Sequence, residues 1–360
     1  MKRFVNSVLV AAALAPAVAF AAGGPCTTAT SACTEHVGVA GSAGYTVVYR
    51  SFPLDTRNEA VTRALIVVHG LQRDADDYFR HTLAAAFLAD TLKDTVLVVP
   101  RFASNAGSAC KDVLEPGELV WHCQPREDSW RTGGAAIDST VTSFDIVDAL
   151  LRKLERKDVF PNLTSVVVAG HSAGGQFVSR YEMANLVHES LPLKPTYVVA
   201  NPSSYAYLDG LRPTASALPP GVAAGAPGYT APLGAHPPAP FVPFADARHC
   251  TTYDNWPYGL KDRNGYTTRL DDAQLKKQLA TRPTTYALGE LDILPLYGFD
   301  STCPAMAQGP TRLARGLAFA KYVEEESGVK QTALVVPACG HNARCMLTSD
   351  AVLPLLFPKQ

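Results

Sequence analysis

The sequence has few charged residues and no concentration of one sign. Asp, Glu, Lys and Arg make up 18% of the 360 residues, and the formal net charge is −1. No run of Lys or Arg and no basic face is present, so nothing indicates a nucleic-acid partner. Hydrophobic residues account for 47%. The composition therefore provides for a sizeable core, and the length suits one large α/β domain or two modest ones.

The spacings typical of zinc sites, CxxC and HxxxH, are also missing, so we expect no metal. The eight cysteines are even in number, and none lies in the N-terminal leader discussed next. An exported chain meets an oxidising environment, where disulfides form. Pairing of neighbours is our expectation, with the remaining two cysteines closing a long loop. The expected pairs are Cys26–Cys33, Cys110–Cys123, Cys250–Cys303 and Cys339–Cys345.

Long apolar runs are scarce, and the one at the N-terminus is short. It covers Val8 to Val18, is interrupted by Pro16, and falls below the roughly 20 residues of a spanning helix. Two basic residues precede it, and the small-x-small sequence Ala19-Phe20-Ala21 follows. This pattern predicts a secretory signal peptide over residues 1–21 rather than a membrane anchor. We expect residues 22–360 to form a single secreted or periplasmic domain, and the sequence favours no particular oligomeric state.

Short, β-rich apolar runs alternate with helical patterns along the rest of the chain. Continuous apolar runs suit strands buried on both faces, as in a parallel sheet. The alternation predicts an α/β fold with a mostly parallel, twisted sheet flanked by helices. The predicted strands are Tyr45–Phe52, Ala64–His69, Thr95–Arg101, Ser165–Gly170, Thr196–Asn201, Thr284–Leu288 and Thr332–Pro337. The predicted helices are Asp76–Asp90, Ala135–Lys157, Gly174–His188 and Pro310–Glu326.

Two segments interrupt this alternation. The first runs from Ala103 to Gly134, and the second covers residues 203–282, whose middle part is rich in Pro, Ala and Gly. A flexible linker between domains is one interpretation of the second segment. Because strand patterns resume beyond it, a long irregular insertion or lid on one domain fits better.

The stretch "SVVVAGHSAGG" joins a predicted strand to a predicted helix and contains Gly170-x-Ser172-x-Gly174. A serine between a buried strand and a helix, flanked by small residues, is typical of a nucleophile elbow. The glycines permit the close chain contacts that the sharp turn requires. Ser172 is therefore a candidate nucleophile, whereas a glycine-rich structural turn is the simpler alternative.

A serine nucleophile needs a base and an acid that orients the base, each on a loop after a later strand. His341 follows the last predicted strand in "LVVPACGHNARC", between two cysteines, with His249 as the reserve candidate. Asp292 in "LGELDILPL" is the expected acid, Glu290 its near competitor and Asp300 a third choice. A structural role remains open for each, since a loop Asp also caps turns.

Backbone donors for an oxyanion are expected at two loops. The N–H of Ala173 begins the helix after the elbow. In "LIVVHGLQRDA", a strand ends at His69-Gly70, and Leu71 or Gln72 would supply the second donor, with Leu71 preferred. His69 would then support the loop rather than act as a base.

In "VVHGLQRDA", "GHSAGG", "LGELD" and "CGHNAR", the chain resembles the serine hydrolases of the α/β-hydrolase superfamily from about Tyr45 to Leu356. It is similar to secreted esterase-like members near the feruloyl esterases and polyhydroxyalkanoate depolymerases. The resemblance implies a Ser172–Asp292–His341 triad, an oxyanion hole near Leu71 and Ala173, and no metal or organic cofactor. The HGGG motif of many lipases is absent, which disfavours true lipase action.

The function expected is hydrolysis of a small or polymeric carboxylic ester through an acyl-enzyme. An exported peptidase or amidase with the same triad is the alternative, and a non-catalytic binding protein on a hydrolase scaffold is a third possibility. Aromatic residues of the irregular segments either line a pocket for such an ester or pack within the loops. These residues are Trp121, Trp130, Tyr205, Tyr207, Trp256 and Tyr258.

Overall fold

A computed structural model of the protein describes residues 23–107, 110–123, 129–214 and 240–359. The predicted signal peptide, residues 1–21, lies outside the described residues, as does the Pro-, Ala- and Gly-rich stretch 215–239. No helix within the described residues is long and apolar enough to cross a membrane.

The predicted α/β arrangement is confirmed by an eight-stranded sheet with helices on both faces. The strands of the described residues are β1 Thr34–Val37, β2 Thr46–Arg50, β3 Arg63–Val68, β4 Thr95–Pro100, β5 Ser165–His171, β6 Thr196–Ala200, β7 Leu211–Pro213, β8 Phe241–Pro243, β9 Thr284–Gly289 and β10 Thr332–Val336. The helices are α1 Ala75–Leu88, α2 Ser143–Leu154, α3 Ala173–Ala184, α4 Asp272–Thr281, α5 Cys303–Met306, α6 Arg312–Ser327, α7 Ala343–Thr348 and α8 Leu353–Leu356.

Strand order in the main sheet is β1-β2-β4-β3-β5-β6-β9-β10. The first two strands form antiparallel pairs, and all pairs from β4 to β10 are parallel. Strands β7 and β8 form a separate antiparallel pair. Since parallel strands end at one edge, the loops after β3, β5, β9 and β10 share that edge.

Alternating side chains of the central strands divide the core into two layers. In β3, Ile66 and Val68 belong to the layer that contains α2, α3 and α6, while Leu65 and Val67 belong to the layer beneath α1, α7 and α8. All four side chains are fully buried. The continuous apolar runs are explained by this arrangement, because both faces of each central strand are covered.

Helix ends follow side-chain caps rather than the apolar pattern alone. The predicted helix Ala135–Lys157 begins only at Ser143, because Thr142 and Asp145 form a reciprocal capping box. The predicted helix Gly174–His188 ends at Ala184, and His188 lies in a separate short turn. The sequence prediction was wrong at these ends.

The predicted insertion 203–282 is more ordered than expected in its described parts. It contains β7, β8 and the ten-residue helix α4, which begins with its own capping box between Asp271 and Gln274. Several of its apolar side chains join the layer of α2, α3 and α6. They include Tyr205, Tyr207, Trp256, Tyr266 and Leu275. The described parts therefore pack on the body of the fold.

Candidate active site

Ser172 lies at the turn between β5 and α3, in a conformation that few side chains adopt. Its φ is 60° and its ψ is −118°, within the left-handed region that is strained for residues other than glycine. The Ser172 N–H donates to the carbonyl of Ala200 across 2.9 Å, and the N–H of Gln176 donates to the Ser172 carbonyl across 3.0 Å. The turn thus projects the hydroxyl from the sheet edge and fixes it at the start of α3.

The glycines around Ser172 are required by backbone contacts. A Cβ at Gly170 would lie 2.2 Å from the carbonyl oxygen of Gly174, and a Cβ at Gly174 would lie 2.0 Å from that of Val68. Both separations are far below van der Waals contact. Small residues at these positions let the first turn of α3 pass directly over the ends of β5 and β3.

Ser172, His341 and Asp292 lie in hydrogen-bonding sequence. Ser172 Oγ is 2.8 Å from Nε2 of His341, and Nδ1 of His341 is 2.7 Å from Oδ2 of Asp292. The His341 and Asp292 side chains are only 5% and 1% exposed. With a proton on Nδ1 held by the carboxylate, Nε2 is free to accept the serine proton.

Asp292 follows β9, and both of its carboxylate oxygens have partners. Oδ1 accepts a hydrogen bond from Nη1 of Arg312 at 3.3 Å, while Oδ2 faces His341. Glu290 instead accepts a hydrogen bond from the Ala338 N–H at 2.9 Å, and Asp300 accepts from the Tyr258 hydroxyl at 2.9 Å. Of the three candidate acids, Asp292 is the one that contacts the imidazole.

His341 lies on the loop after β10, which is fixed on both sides. Cys339 and Cys345 form a disulfide across it, and Asn201 Nδ2 donates to the Gly340 carbonyl at 3.2 Å. The reserve candidate His249 is exposed and pairs with Asp246. These contacts hold the His341 ring over the end of β5.

Leu71 and Ala173, the expected oxyanion donors, lie on adjacent loops of the same edge. Val68 of β3 pairs with Gly170 of β5, and Leu71 and Ala173 each lie three positions after these paired residues. Ala173 is the first residue of α3, where backbone N–H groups have no acceptor within the helix. The close approach of Gly174 to Val68 shows that the two loops are in contact.

The fold can be compared with solved structures. The poly(3-hydroxybutyrate) depolymerase LpqC from Bordetella parapertussis superposes with a TM-score of 0.57 at 19% identity, over 86% of this chain and 84% of that one. Poly(aspartic acid) hydrolase-1 from Sphingomonas sp. KT-1 gives a TM-score of 0.53 at 22% identity, over 87% of this chain and 95% of that one. No protein-family model matches the chain, and no curated protein matches its sequence.

The chain has the α/β-hydrolase fold. The candidate residues follow the order typical of this fold, with Ser172 after β5, Asp292 after β9 and His341 after β10. The shared edge of parallel strands explains how residues 169 positions apart in sequence, Ser172 and His341, come within hydrogen-bond distance.

Two further histidines lie at the sheet edge that carries the candidate site. Buried His69 accepts a hydrogen bond from the Phe102 N–H through Nε2 at 3.0 Å, and burial lowers its pKa to about 4. His171 lies with its ring 4.9 Å from that of His341 and receives the Tyr78 hydroxyl on Nδ1 at 2.9 Å. Burial also holds the pKa of His171 well below its usual range. Both rings are therefore neutral supports of their loops.

The aromatic residues proposed for a substrate pocket pack mostly inside the hydrolase fold. Five of the six are buried and belong to the core layer of α2, α3 and α6: Trp121, Trp130, Tyr205, Tyr207 and Trp256. Trp130 makes an edge contact with His69 at 4.8 Å between ring centroids. Loop packing is the arrangement found for these five residues, and Tyr258 alone is partly exposed.

The residues that sequence reasoning missed are arginines. Arg312 of α6 contacts Asp292, and Arg131 contacts Gln176 one helical turn after Ser172. No motif marks either position, since both contacts depend on chain segments far apart in sequence.

Among the described residues, no group of three His, Cys, Asp or Glu side chains is arranged to hold a metal ion. A cavity of about 400 Å³ opens at the opposite sheet edge, beside Thr196 and Thr284, away from Ser172.

Proposed function

We propose that the chain hydrolyses carboxylic esters with Ser172 as nucleophile, His341 as general base and Asp292 as the acid that orients it. The observation that carries the proposal is the unbroken series of hydrogen bonds from Ser172 Oγ through His341 to Asp292. Nucleophilic acyl transfer requires this arrangement, in which a solvent-reachable serine lies in a strained turn and a buried carboxylate lies behind a histidine.

The reaction proceeds in two halves. Ser172 Oγ attacks the ester carbonyl as Nε2 of His341 takes its proton, and Asp292 stabilises the imidazolium through Nδ1. The tetrahedral intermediate collapses when His341 returns the proton to the departing alkoxide, which leaves an acyl group on Ser172. Water then attacks the acyl-enzyme with His341 again as base, releasing the carboxylic acid.

The negative oxygen of each tetrahedral intermediate would be held by the N–H groups of Ala173 and Leu71. Ala173 supports this role because it is the first residue of α3, where the helix dipole also favours negative charge. Removal of a single donor of this kind typically costs about 10²–10³ in kcat in other hydrolases.

The substrate is an ester of a small molecule or a polymer in this proposal. One structural neighbour is named a poly(3-hydroxybutyrate) depolymerase, which supports a polyester or its fragments. The other is named a hydrolase of poly(aspartic acid), and this supports amide cleavage by the same residues as a second candidate. Matched ester and amide substrates with one acyl group distinguish the two.

Export to an oxidising compartment, secreted or periplasmic, belongs to the same proposal. Four disulfides join the eight cysteines in neighbour pairs, with a longer loop between Cys250 and Cys303. Disulfides persist in secreted and periplasmic proteins and are rare in the cytosol.

The proposal is tested by measuring hydrolysis of small nitrophenyl esters by the wild type, by Ser172→Ala and by Ser42→Ala. Ser42 is an exposed serine in the connection between β1 and β2, which are separated from β5 by β4 and β3, so its variant is the matched control. We expect Ser172→Ala to lose turnover and labelling by a fluorophosphonate while keeping the wild-type circular dichroism. Turnover by Ser172→Ala would overturn the proposal, and an unlabelled wild type would favour a non-catalytic binding protein.

A further inference from the structure

Arg131 lies against the first turns of α3, in the short turn Trp130–Thr132. Its Nη1 donates to Oε1 of Gln176 at 2.8 Å, and Gln176 is one helical turn after Ser172 on α3. The Arg131 side chain is partly exposed, whereas Gln176 is 3% exposed. A guanidinium group is thus fixed near the reacting serine at a position that solvent reaches.

Further hydrogen bonds hold Gln176, the partner of Arg131, in place. Gln176 Nε2 donates to Ser204 Oγ at 3.3 Å, and Arg180 Nη2 donates to the same oxygen at 3.2 Å. Arg180 is 1% exposed, and its other acceptors are the backbone carbonyls of Pro257 and Gln176. Every acceptor that the described residues offer the two arginines is therefore neutral.

The two arginines have no carboxylate partner in the described part of the chain. Arg131 donates to described residues only through Nη1, so no described residue occupies the edge formed by Nε and Nη2, which suits a planar, bidentate acceptor. Burial lowers the pKa of Arg131 and lowers that of Arg180 to about 9. Arg180 is a buried cation with no hydrogen-bonded carboxylate among the described residues; such burial is costly, and an anion bound nearby would reduce that cost.

Several described arginines lie near one carboxylate, that of Asp300. Four arginines interact electrostatically with Asp300: Arg131, Arg180, Arg312 and Arg315. Only one of the four, Arg312, forms an ion pair among the described residues, and its partner is Asp292. Among the described residues, these four guanidinium groups share the carboxylates of Asp300 and Asp292.

We propose that Arg131 is the centre of a carboxylate-binding subsite and that the ester cleaved by Ser172 carries a free carboxylate. Such substrates include half-esters of dicarboxylic acids and esters that have a carboxylate on the alcohol part. The inference rests on the proposed ester hydrolysis and names its substrate class. Arg131 binds and orients the substrate and takes no proton from it.

The test compares esters that carry a free carboxylate with the corresponding methyl esters, in which that charge is removed. The first pair is the 4-nitrophenyl ester of glutaric acid and its methyl ester, which place the carboxylate or its neutral form on the acyl part. The second pair is 4-carboxyphenyl butyrate and its methyl ester, which place it on the alcohol part. Values of kcat and KM are measured for the wild type, Arg131→Gln, Arg131→Lys and the exposed control Arg57→Gln.

We expect the wild type to prefer the charged ester of at least one pair by about tenfold or more in kcat/KM, since a charge-assisted bidentate contact is strong. Arg131→Gln should abolish that preference, mainly through KM, and change the neutral esters less than about twofold. Arg131→Lys should retain part of the preference, and Arg57→Gln all of it.

Two results would overturn the subsite. One is wild-type turnover without charge preference in either pair, and the other is an equal loss on charged and neutral esters in Arg131→Gln. Either result leaves ester hydrolysis by Ser172 intact. Failure of the wild type to cleave any of the four esters or to react with a fluorophosphonate would instead overturn both proposals.

Discussion

Arg312 donates from Nη1 to Oδ1 of Asp292 across 3.3 Å, and both side chains are essentially inaccessible to solvent. The same guanidinium donates to Ser203 Oγ at 2.6 Å and to the carbonyls of Leu296 and Tyr297. Arg312 therefore joins α6 to the loop that presents Asp292. One oxygen of the Asp292 carboxylate accepts from Arg312 and the other faces His341. These two contacts fix the direction from which the carboxylate meets the imidazole.

Loss of the Arg312 charge should destabilise the fold strongly. Arg312→Met leaves Asp292 buried without its cation, and breaking a buried pair from one side typically costs roughly 3–5 kcal/mol. We expect the urea-unfolding free energy to fall by that order and the rate of fluorophosphonate labelling to fall with it. Arg312→Lys keeps the charge, so its unfolding free energy and its labelling rate should both fall less. Equal stability of wild type and Arg312→Met would contradict the role assigned to this pair.

The turn at Ser172 gives a second prediction, at Gly174. A Cβ there would lie 2.0 Å from the carbonyl of Val68 and 2.6 Å from that of His69, so the backbone must move. Gly174→Ala should lower the unfolding free energy by roughly 1–3 kcal/mol and reduce labelling of Ser172. Gly24→Ala is the control, because no atom lies within 4 Å of a Cβ at Gly24. Denaturation curves that coincide for both variants would refute the steric argument.

The sequence predicts the central sheet well, because its signal is local. Buried strands such as β3 and β5 are continuous apolar runs, and their observed bounds differ from the expected ones by a residue or so. The edge strand Thr34–Val37 has no such run, since its burial is mixed. Helix α4 was missed because its residues are mostly polar, although the capping pair Asp271 and Gln274 was present in the sequence.

The candidate site likewise contains residues that the sequence predicts and residues that it does not predict. Ser172 is marked by a local motif, and His341 and Asp292 follow from the place of strand ends in the fold. Arg131 and Arg312 have no local signal, because their neighbours, Gln176 and Asp292, are fixed only by tertiary packing. Sequence reasoning therefore identifies residues whose role follows from strand order and misses those whose role follows from contact alone.

The last prediction concerns Glu182, which is buried on the last turn of α3. Its carboxyl group contacts the hydroxyls of Thr284 and Tyr286, and burial raises its pKa from 4.5 to about 8. Between these two values the folded protein holds a proton that the unfolded chain has lost. The stabilisation is fully present below the unfolded pKa and is lost as the pH rises through the folded pKa.

Glu182→Gln removes this titration and keeps the shape of the side chain. Across the window, Glu182 should make the wild-type unfolding free energy fall by up to about 1.4 kcal/mol per pH unit, because one additional proton is released on unfolding. The unfolding free energy of the variant should therefore rise steadily relative to that of the wild type as the pH is raised from about 5 to about 8. Asp148, whose pKa burial raises to about 6, titrates in both proteins and cancels in the difference. Urea denaturation at several pH values measures that difference, and a value independent of pH would show that Glu182 is ionised in the fold.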